Sequence, residues 1–259
     1  MSLEPLKLKQ GIIYGPVNSR RLGSSLGLNI LPFKYKACPF NCVYCQYGYT
    51  GKKGHTFHPD ETLLPSIDEI SFALKGALKD YPLVSYITFS GNGEPTIHPR
   101  FTDIVDQVKK IRNSFNPDIR LSILSNSALV NRNEVREGLM KLDARFMKLD
   151  VGDEELFLRY NRPLPEIRFA EILCGLKSLN DIIIQSLFAG GPNGNVSGEA
   201  IPKWIDRIGE IRPRECHIYS LDRPSADRSL VKLGREYLEQ IRSDAEFRTG
   251  VPVRVFERE

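Results

Sequence analysis

Three cysteines fall within eight residues, in the run Cys38-Pro39-Phe40-Asn41-Cys42-Val43-Tyr44-Cys45. Thiolates ligate metals and carry redox chemistry, and three on one short loop can grip three corners of a metal–sulfur cube while the fourth stays open. Clusters that only transfer electrons normally have four cysteine ligands, whereas an unfilled coordination position is how a metal site admits a substrate. The competing use of the same thiols is structural zinc, completed by His55 or His58 as a Cys₃His site, in a nucleic-acid-binding module without catalysis. Zinc ligands usually come as two short cysteine pairs, which this run is not. The remaining thiols, Cys174 and Cys216, stand alone and are too few for a second four-cysteine cluster. Cys174 reads as a small buried hydrophobe on a helix. Five cysteines, an odd number, behind an N-terminus with no export signal do not make a disulfide framework.

The cysteine run lies in a basic stretch. Residues 1–59 carry Lys7, Lys9, Arg20, Arg21, Lys34, Lys36, Lys52 and Lys53 against Glu4 alone, near +7, which leaves about −3 for the rest of a chain whose total is +4. A positive face there would attract an acidic protein, a polyanion or a charged small molecule. Arg20 and Arg21, on a Gly/Pro-rich loop just before the strand that leads to the cysteines, have the chemistry to clamp a phosphate or carboxylate. Arg223, before Pro224 at the end of a later strand, would point into the same mouth.

Such groups need a frame. Beyond residue 60, short β-branched runs alternate with stretches of helical period. Strands are expected at 28–31, 84–90, 121–125, 146–151, 182–188, 216–221 and 253–256, and helices at 66–80, 102–114, 134–142, 166–179, 201–211 and 226–243. Strand, helix, strand is the order of a parallel sheet. Right-handed crossovers leave an open doubly wound sheet or a closed or partly closed barrel, and both put the working loops at the carboxyl ends of the strands. The segment from Tyr14 to Gly23 reads as loop, so residues 1–27 are expected to be an irregular extension packed on one domain covering 1–259.

The spacing of the cysteines, with an aromatic just before the last, resembles the signature of the radical S-adenosylmethionine (SAM) superfamily. Ser90-Gly91-Asn92-Gly93-Glu94-Pro95 is similar to that family's glycine–glutamate motif, which meets the methionyl amine of SAM. Glycine lets backbone approach a ligand closely, and a carbonyl or carboxylate accepts from an ammonium. The resemblance extends to Ser125-Asn126 and to Lys148 and Asp150, which fall where family members hold the ribose and carboxylate of SAM. It implies an α/β fold, a partial (β/α)₆ barrel of the radical SAM type. It further implies a 4Fe–4S cluster on Cys38, Cys42 and Cys45, with Tyr44 beside it and SAM on its open iron. One electron would cleave SAM to methionine and a 5′-deoxyadenosyl radical that takes hydrogen from a substrate. The implied partners are a flavodoxin or ferredoxin as electron donor and a tRNA base or small anionic metabolite as substrate. More narrowly, Gly15 to Gly23, Cys42 to Gly48 and Asp222-Arg223-Pro224 resemble compact members related to the wyosine-type tRNA base synthases. Those carry an additional cysteine set, and here no cysteine precedes Cys38.

Composition agrees with an ordinary globular protein: 41% hydrophobic and 26% charged residues exclude collagen-like, coiled-coil and wholly disordered chains. No apolar run approaches the roughly 20 residues that span a bilayer, so no membrane partner and a cytoplasmic location are expected.

Overall fold

A computed structural model describes residues 5–19 and 21–257. Its elements in chain order are β1 (Ile13–Ser19), β2 (Gly23–Leu28), α1 (Ile67–Asp80), β3 (Tyr86–Phe89), α2 (Phe101–Phe115), β4 (Arg120–Ser125), α3 (Asn133–Met140), β5 (Ala144–Lys148), α4 (Glu154–Tyr160), α5 (Phe169–Ser178), β6 (Ile182–Leu187), α6 (Ala200–Ile211), β7 (Glu215–Tyr219), α7 (Arg235–Thr249) and β8 (Val253–Phe256). The eight strands form one sheet in the order of the chain. All neighbours from β2 to β8 are parallel, and β1 pairs antiparallel with β2.

Local chemistry explains most of the boundaries. Ser66 caps α1 in a reciprocal box, accepting from the Glu69 N–H at 3.2 Å while Glu69 accepts from the Ser66 N–H at 2.7 Å. Asp153 caps α4 by accepting from Leu156 N–H at 2.8 Å. Gly250 ends α7 in the left-handed region at φ 69°.

The sheet is curled into a half-barrel. Arg21, in the turn between β1 and β2, touches Gln185 on β6 and Tyr219 on β7. Four strand spacings of about 4.8 Å separate β2 from β6 in a flat sheet, far beyond one arginine side chain, so only curvature brings them together. Two apolar clusters follow from the alternation of side chains across strands. The large one, between the convex face and the helices, includes Ile87, Phe89, Leu121, Ile123, Met147 and Ile184. The small one joins Leu22 to Ala144, Phe146 and Ile183, with Tyr86 and Leu124 packed against it.

Four expectations require correction. The stretch from Tyr14 to Gly23 is not loop: it is β1 and a turn, so the 1–27 extension includes a strand and most of β2. Gly15-Pro16 reads as a breaker, yet an edge strand tolerates a residue without an N–H, and the pairing is irregular between Tyr14 and Val17. The expected strand at 28–31 is correspondingly displaced to β2. The helix expected at 226–243 begins only at Arg235, because Asp227 holds the preceding residues in a turn by accepting from Ser229 N–H at 2.9 Å. Cys174 is exposed rather than buried. None of the described helices is long and apolar enough to cross a membrane.

Candidate functional site

The cysteine run lies on the long connection from β2 to α1, at the carboxyl end of the sheet, and it is fastened there by backbone. Ala37 bridges Gly93 in parallel fashion: Ala37 N–H donates to Asn92 O at 2.9 Å, and Glu94 N–H donates to Ala37 O at 3.0 Å. At Gly93, φ is 144° and a Cβ would lie 1.7 Å from Ala37 O, so this crossing admits only glycine. On the other side, Asn41 N–H donates to Asn161 O at 3.0 Å and Val43 N–H to Tyr160 O at 3.0 Å. The loop is therefore held between the exit of β3 and the end of α4.

Each of the three thiols has its own N–H donor. Asn126 Nδ2 stands 3.3 Å from Cys38 Sγ, Asn161 Nδ2 3.5 Å from Cys42 Sγ, and Lys36 Nζ 3.4 Å from Cys45 Sγ. Burial pushes the Cys38 thiol up, and burial together with the Asp150 charge pushes Cys42 to about 11. Thiols so placed give up their protons when iron supplies the compensating positive charge. Three such donors, separately supported on one loop, fit a metal–sulfur cluster. The zinc reading lacks its histidine: His55 Nε2 is 3.1 Å from Pro39 O, and His58 is exposed. Among the described residues, no three His, Cys, Asp or Glu side chains converge as a single ion requires.

The glycine–glutamate segment divides its labour. Asn92 is fully buried and binds Pro32 O at 3.0 Å and Lys9 O at 2.8 Å, so its side chain organises the chain around it. At Gly91 a Cβ would lie 2.5 Å from Asn29 Oδ1. Glu94 accepts from Thr96 N–H at 3.1 Å, Thr96 Oγ1 at 2.7 Å, Ser125 Oγ at 2.9 Å and Asn126 N–H at 2.5 Å. Burial pushes its carboxyl up, against these donors. Its carboxylate thus ties the exit of β3 to that of β4 and fixes Asn126, whose amide reaches Cys38.

Lys148 ends β5, and Asp150 lies just beyond the strand rather than within it. Asp150 accepts from Tyr44 OH at 2.5 Å, Asn161 Nδ2 at 2.9 Å and Leu187 N–H at 2.9 Å, and pairs with Lys148 at 3.0 Å. Burial works against the Lys148 charge, but Asp150 and Tyr219 overcome it and hold the ammonium well above its ordinary range. Tyr44, Asn126, Lys148, Asp150 and Asn161 line one small cavity. The expected residues on the cysteine loop, β4 and β5 are thereby brought together.

The arginines are placed otherwise. Arg20 lies outside the described residues. Arg21 is at the amino end of the parallel strands, opposite the cysteines, because its loop is a strand turn. Arg223 is exposed, and its charge acts on Tyr47. Of the basic stretch, Lys36 is buried, whereas Lys7, Lys34, Lys52 and Lys53 are exposed. Sequence reasoning missed Asn161, Lys36, Gln185 and Tyr219. The one local signal among them was Asn161-Arg162-Pro163, an asparagine and a proline of the kind that ends a helix.

Residues 34–197 match the family model described as the radical SAM superfamily. Over 260 residues the chain is 30% identical to a protein named GTPase Obg from Brachyspira hyodysenteriae, with 96% of this chain and 35% of that protein covered. Over 225 residues it is 31% identical to a UPF0026 protein of Methanocaldococcus jannaschii, covering 84% of this chain and 65% of that one. It thus spans about a third and just under two thirds of these relatives' lengths. Among solved structures, TYW1 with a lysine-pyruvate adduct bound superposes with a TM-score of 0.59 at 14% identity, over 87% of this chain and 74% of that chain.

Proposed function

Because the chain belongs to the radical SAM superfamily, we propose that it is an enzyme which cleaves SAM reductively at a 4Fe–4S cluster and uses the resulting radical on an organic substrate. Cys38, Cys42 and Cys45 would hold the cluster. The observation that carries this reading is the set of three thiols on one anchored loop, each facing a separate N–H donor. When bound, the cluster supplies one electron to the sulfonium of SAM, giving a carbon radical that takes a hydrogen atom; the protein supplies binding, orientation and exclusion of water.

The seat for SAM is built from Gly91, Asn92, Gly93 and Glu94 after β3, Ser125 and Asn126 after β4, Lys148 and Asp150 at the end of β5, and Tyr44 from the loop. Asn92 and Glu94 act in it as positioning residues, since their side chains are spent on protein partners. Asp150 fixes Tyr44 and Lys148 on either side of the cavity. Hydrogen bonds to the cysteine sulfurs from Lys36, Asn126 and Asn161 are a recognised means of setting a cluster's potential. The exposed lysines Lys34, Lys52 and Lys53 suit docking of an acidic flavodoxin or ferredoxin. The whole chain, 1–259, is proposed to act as one domain, with Arg223 at its rim.

The test is anaerobic reconstitution with iron and sulfide, followed by SAM and dithionite. Wild type is expected to be brown and to release 5′-deoxyadenosine. Cys38→Ser, Cys42→Ser and Cys45→Ser are each expected to lose iron and product together. A cluster-loaded wild type that never releases 5′-deoxyadenosine refutes the reading.

A further inference from the structure

Arg21 enters the concave side of the sheet from the end opposite the cysteine loop. Its turn is pinned by Ser19, whose Oγ accepts from the N–H groups of Arg21 and Leu22 at 3.3 Å each. Leu22 anchors it further, buried against Ala144, Phe146 and Ile183. From this floor the guanidinium donates to Gln185 Oε1 and lies 5.0 Å from the centroid of the Tyr219 ring. Gln185 is in register with Lys148 on β5 and with His217 on β7. The Lys148 ammonium is 5.2 Å from the same Tyr219 ring and 3.1 Å from its hydroxyl. Two cations therefore share one tyrosine inside the curl.

Their compensation differs. Lys148 has Asp150 at 3.0 Å. Among the described residues no carboxylate pairs with Arg21, whose partners are an amide and an aromatic face, both neutral. The nearby carboxylates are taken: Asp150 by Tyr44, Asn161, Leu187 and Lys148, and Glu215 by Arg254 at 2.7 Å and His217 at 3.3 Å. Arg21 is half-buried, and a guanidinium partly withdrawn from water with no counter-charge among the described residues is open to an anion. The fork geometry of arginine matches a carboxylate or phosphate through two parallel hydrogen bonds.

We propose that Arg21, with Lys148 beside the same ring, receives an oxyanion of the substrate. The substrate class is accordingly a small organic acid or phosphate monoester that lies with its charged end toward the floor of the curl and its reacting carbon toward the cysteine loop. The assignment of this anion as substrate rests on the reading under Proposed function; the anion site itself does not.

Thermal unfolding of the full-length, cluster-loaded protein under anaerobic conditions tests this, with inorganic phosphate and malonate as probes against sodium chloride at matched ionic strength. A ligand that binds only the folded state raises the midpoint with concentration. Wild type is expected to respond to at least one probe, and the two arms tell phosphate from carboxylate. Arg21→Gln is expected to weaken the apparent affinity at least tenfold. Arg21→Lys, which keeps the charge without the fork, should weaken it several-fold and serves if the glutamine variant does not fold. Arg235→Gln, a surface charge removed on α7, should match wild type. The proposal is overturned if neither probe stabilises wild type, if the Arg21 variants respond as wild type does, or if the response follows Lys52→Gln instead, the behaviour of a surface that binds a polyanion such as tRNA. Release of 5′-deoxyadenosine by the same wild-type preparation keeps the two readings apart: its absence rejects the enzyme, whereas its presence with unchanged anion responses rejects only the Arg21 site.

Discussion

The two faces of the sheet differ in chemistry, although the concave one also carries the small apolar cluster of Phe146 and Ile183. On the convex face Ile87, Phe89, Leu121, Ile123, Met147 and Ile184 meet the helices in one apolar core. On the concave face the hydroxyls of Ser25, Thr88 and Ser122 form a ladder across three strands at 2.7 and 2.8 Å, continued by Gln185, Lys148 and Tyr219. The same strands supply both faces, because side chains alternate at every residue. A face made only for stability gains more from close-packed apolar side chains than from cations, whose burial is offset only by good pairing. The polar lining marks the concave side as the place where a ligand is handled, and the convex side as what holds it in shape.

The largest effect that would sharpen this contrast is expected from Asp150→Ala. It strands a buried Lys148 and leaves Tyr44, Asn161 and the Leu187 N–H without their acceptor. Removing one partner of a buried pair costs about 3–5 kcal/mol, and release of 5′-deoxyadenosine should fall with it. Ile104→Ala on α2, fully buried on the convex side, should cost about 2–5 kcal/mol in urea unfolding while product formation per folded molecule stays near wild type. Equal losses of activity in the two variants would break the division of labour between the faces.

What could be read from the chain beforehand follows the same division by range. The convex core and the parallel order were legible because hydrophobic periodicity is local: each of the seven parallel strands overlaps or adjoins an expected one. The cysteines were legible because three thiols in eight residues are rare and their chemistry is narrow. Asn161 was not, because its contacts with Cys42 and Asp150 join residues 119 and 11 positions apart. Arg21 was expected on a loop ahead of the first strand because Gly15-Pro16 reads as a breaker; once that segment pairs with β2, Arg21 falls in a strand turn at the amino end of the sheet. The protein partners of Glu94 were hidden for a related reason: its motif is local, but two donors to its carboxylate, Ser125 and Asn126, lie 31 and 32 residues away.

Acid should expose a further difference. Burial holds His98, in the turn just before α2, down to about 4, helped by the Arg100 charge. Burial likewise holds His217 down to about 4 on the concave side, against the pull of Glu215 and aided by Arg21 and Arg254. In the unfolded chain each takes up a proton near pH 6.5. Between about pH 6.5 and 4 the unfolded state therefore binds more protons. Stability is full above that window and falls as the pH drops through it, by up to about 3 kcal/mol for His98. Urea midpoints at pH 7.5 and 5.0 should diverge in wild type and converge in His98→Gln and His217→Gln. An unchanged slope in both variants would place the acid sensitivity elsewhere.

The smallest expected effect probes the ladder itself. Thr88→Val keeps the shape and β-branching of the residue, so packing and strand preference are nearly conserved. What changes is the middle of a chain of three hydroxyls: Ser25 Oγ and Ser122 Oγ, in residues 4% and 0% exposed, both lose their shared partner. If the ladder is closed to water, the two stranded groups should cost on the order of 1–2 kcal/mol in urea unfolding. If the interior admits water, as a chamber that receives a soluble acid must, water replaces the missing hydroxyl and the loss should shrink toward zero. The division of the sheet into a supporting and a handling face favours the second outcome. A full loss in Thr88→Val, matched by an equal loss in Ser122→Ala, would show that the concave hydroxyls serve the fold and would confine ligand handling to Lys148, Tyr219 and Arg21.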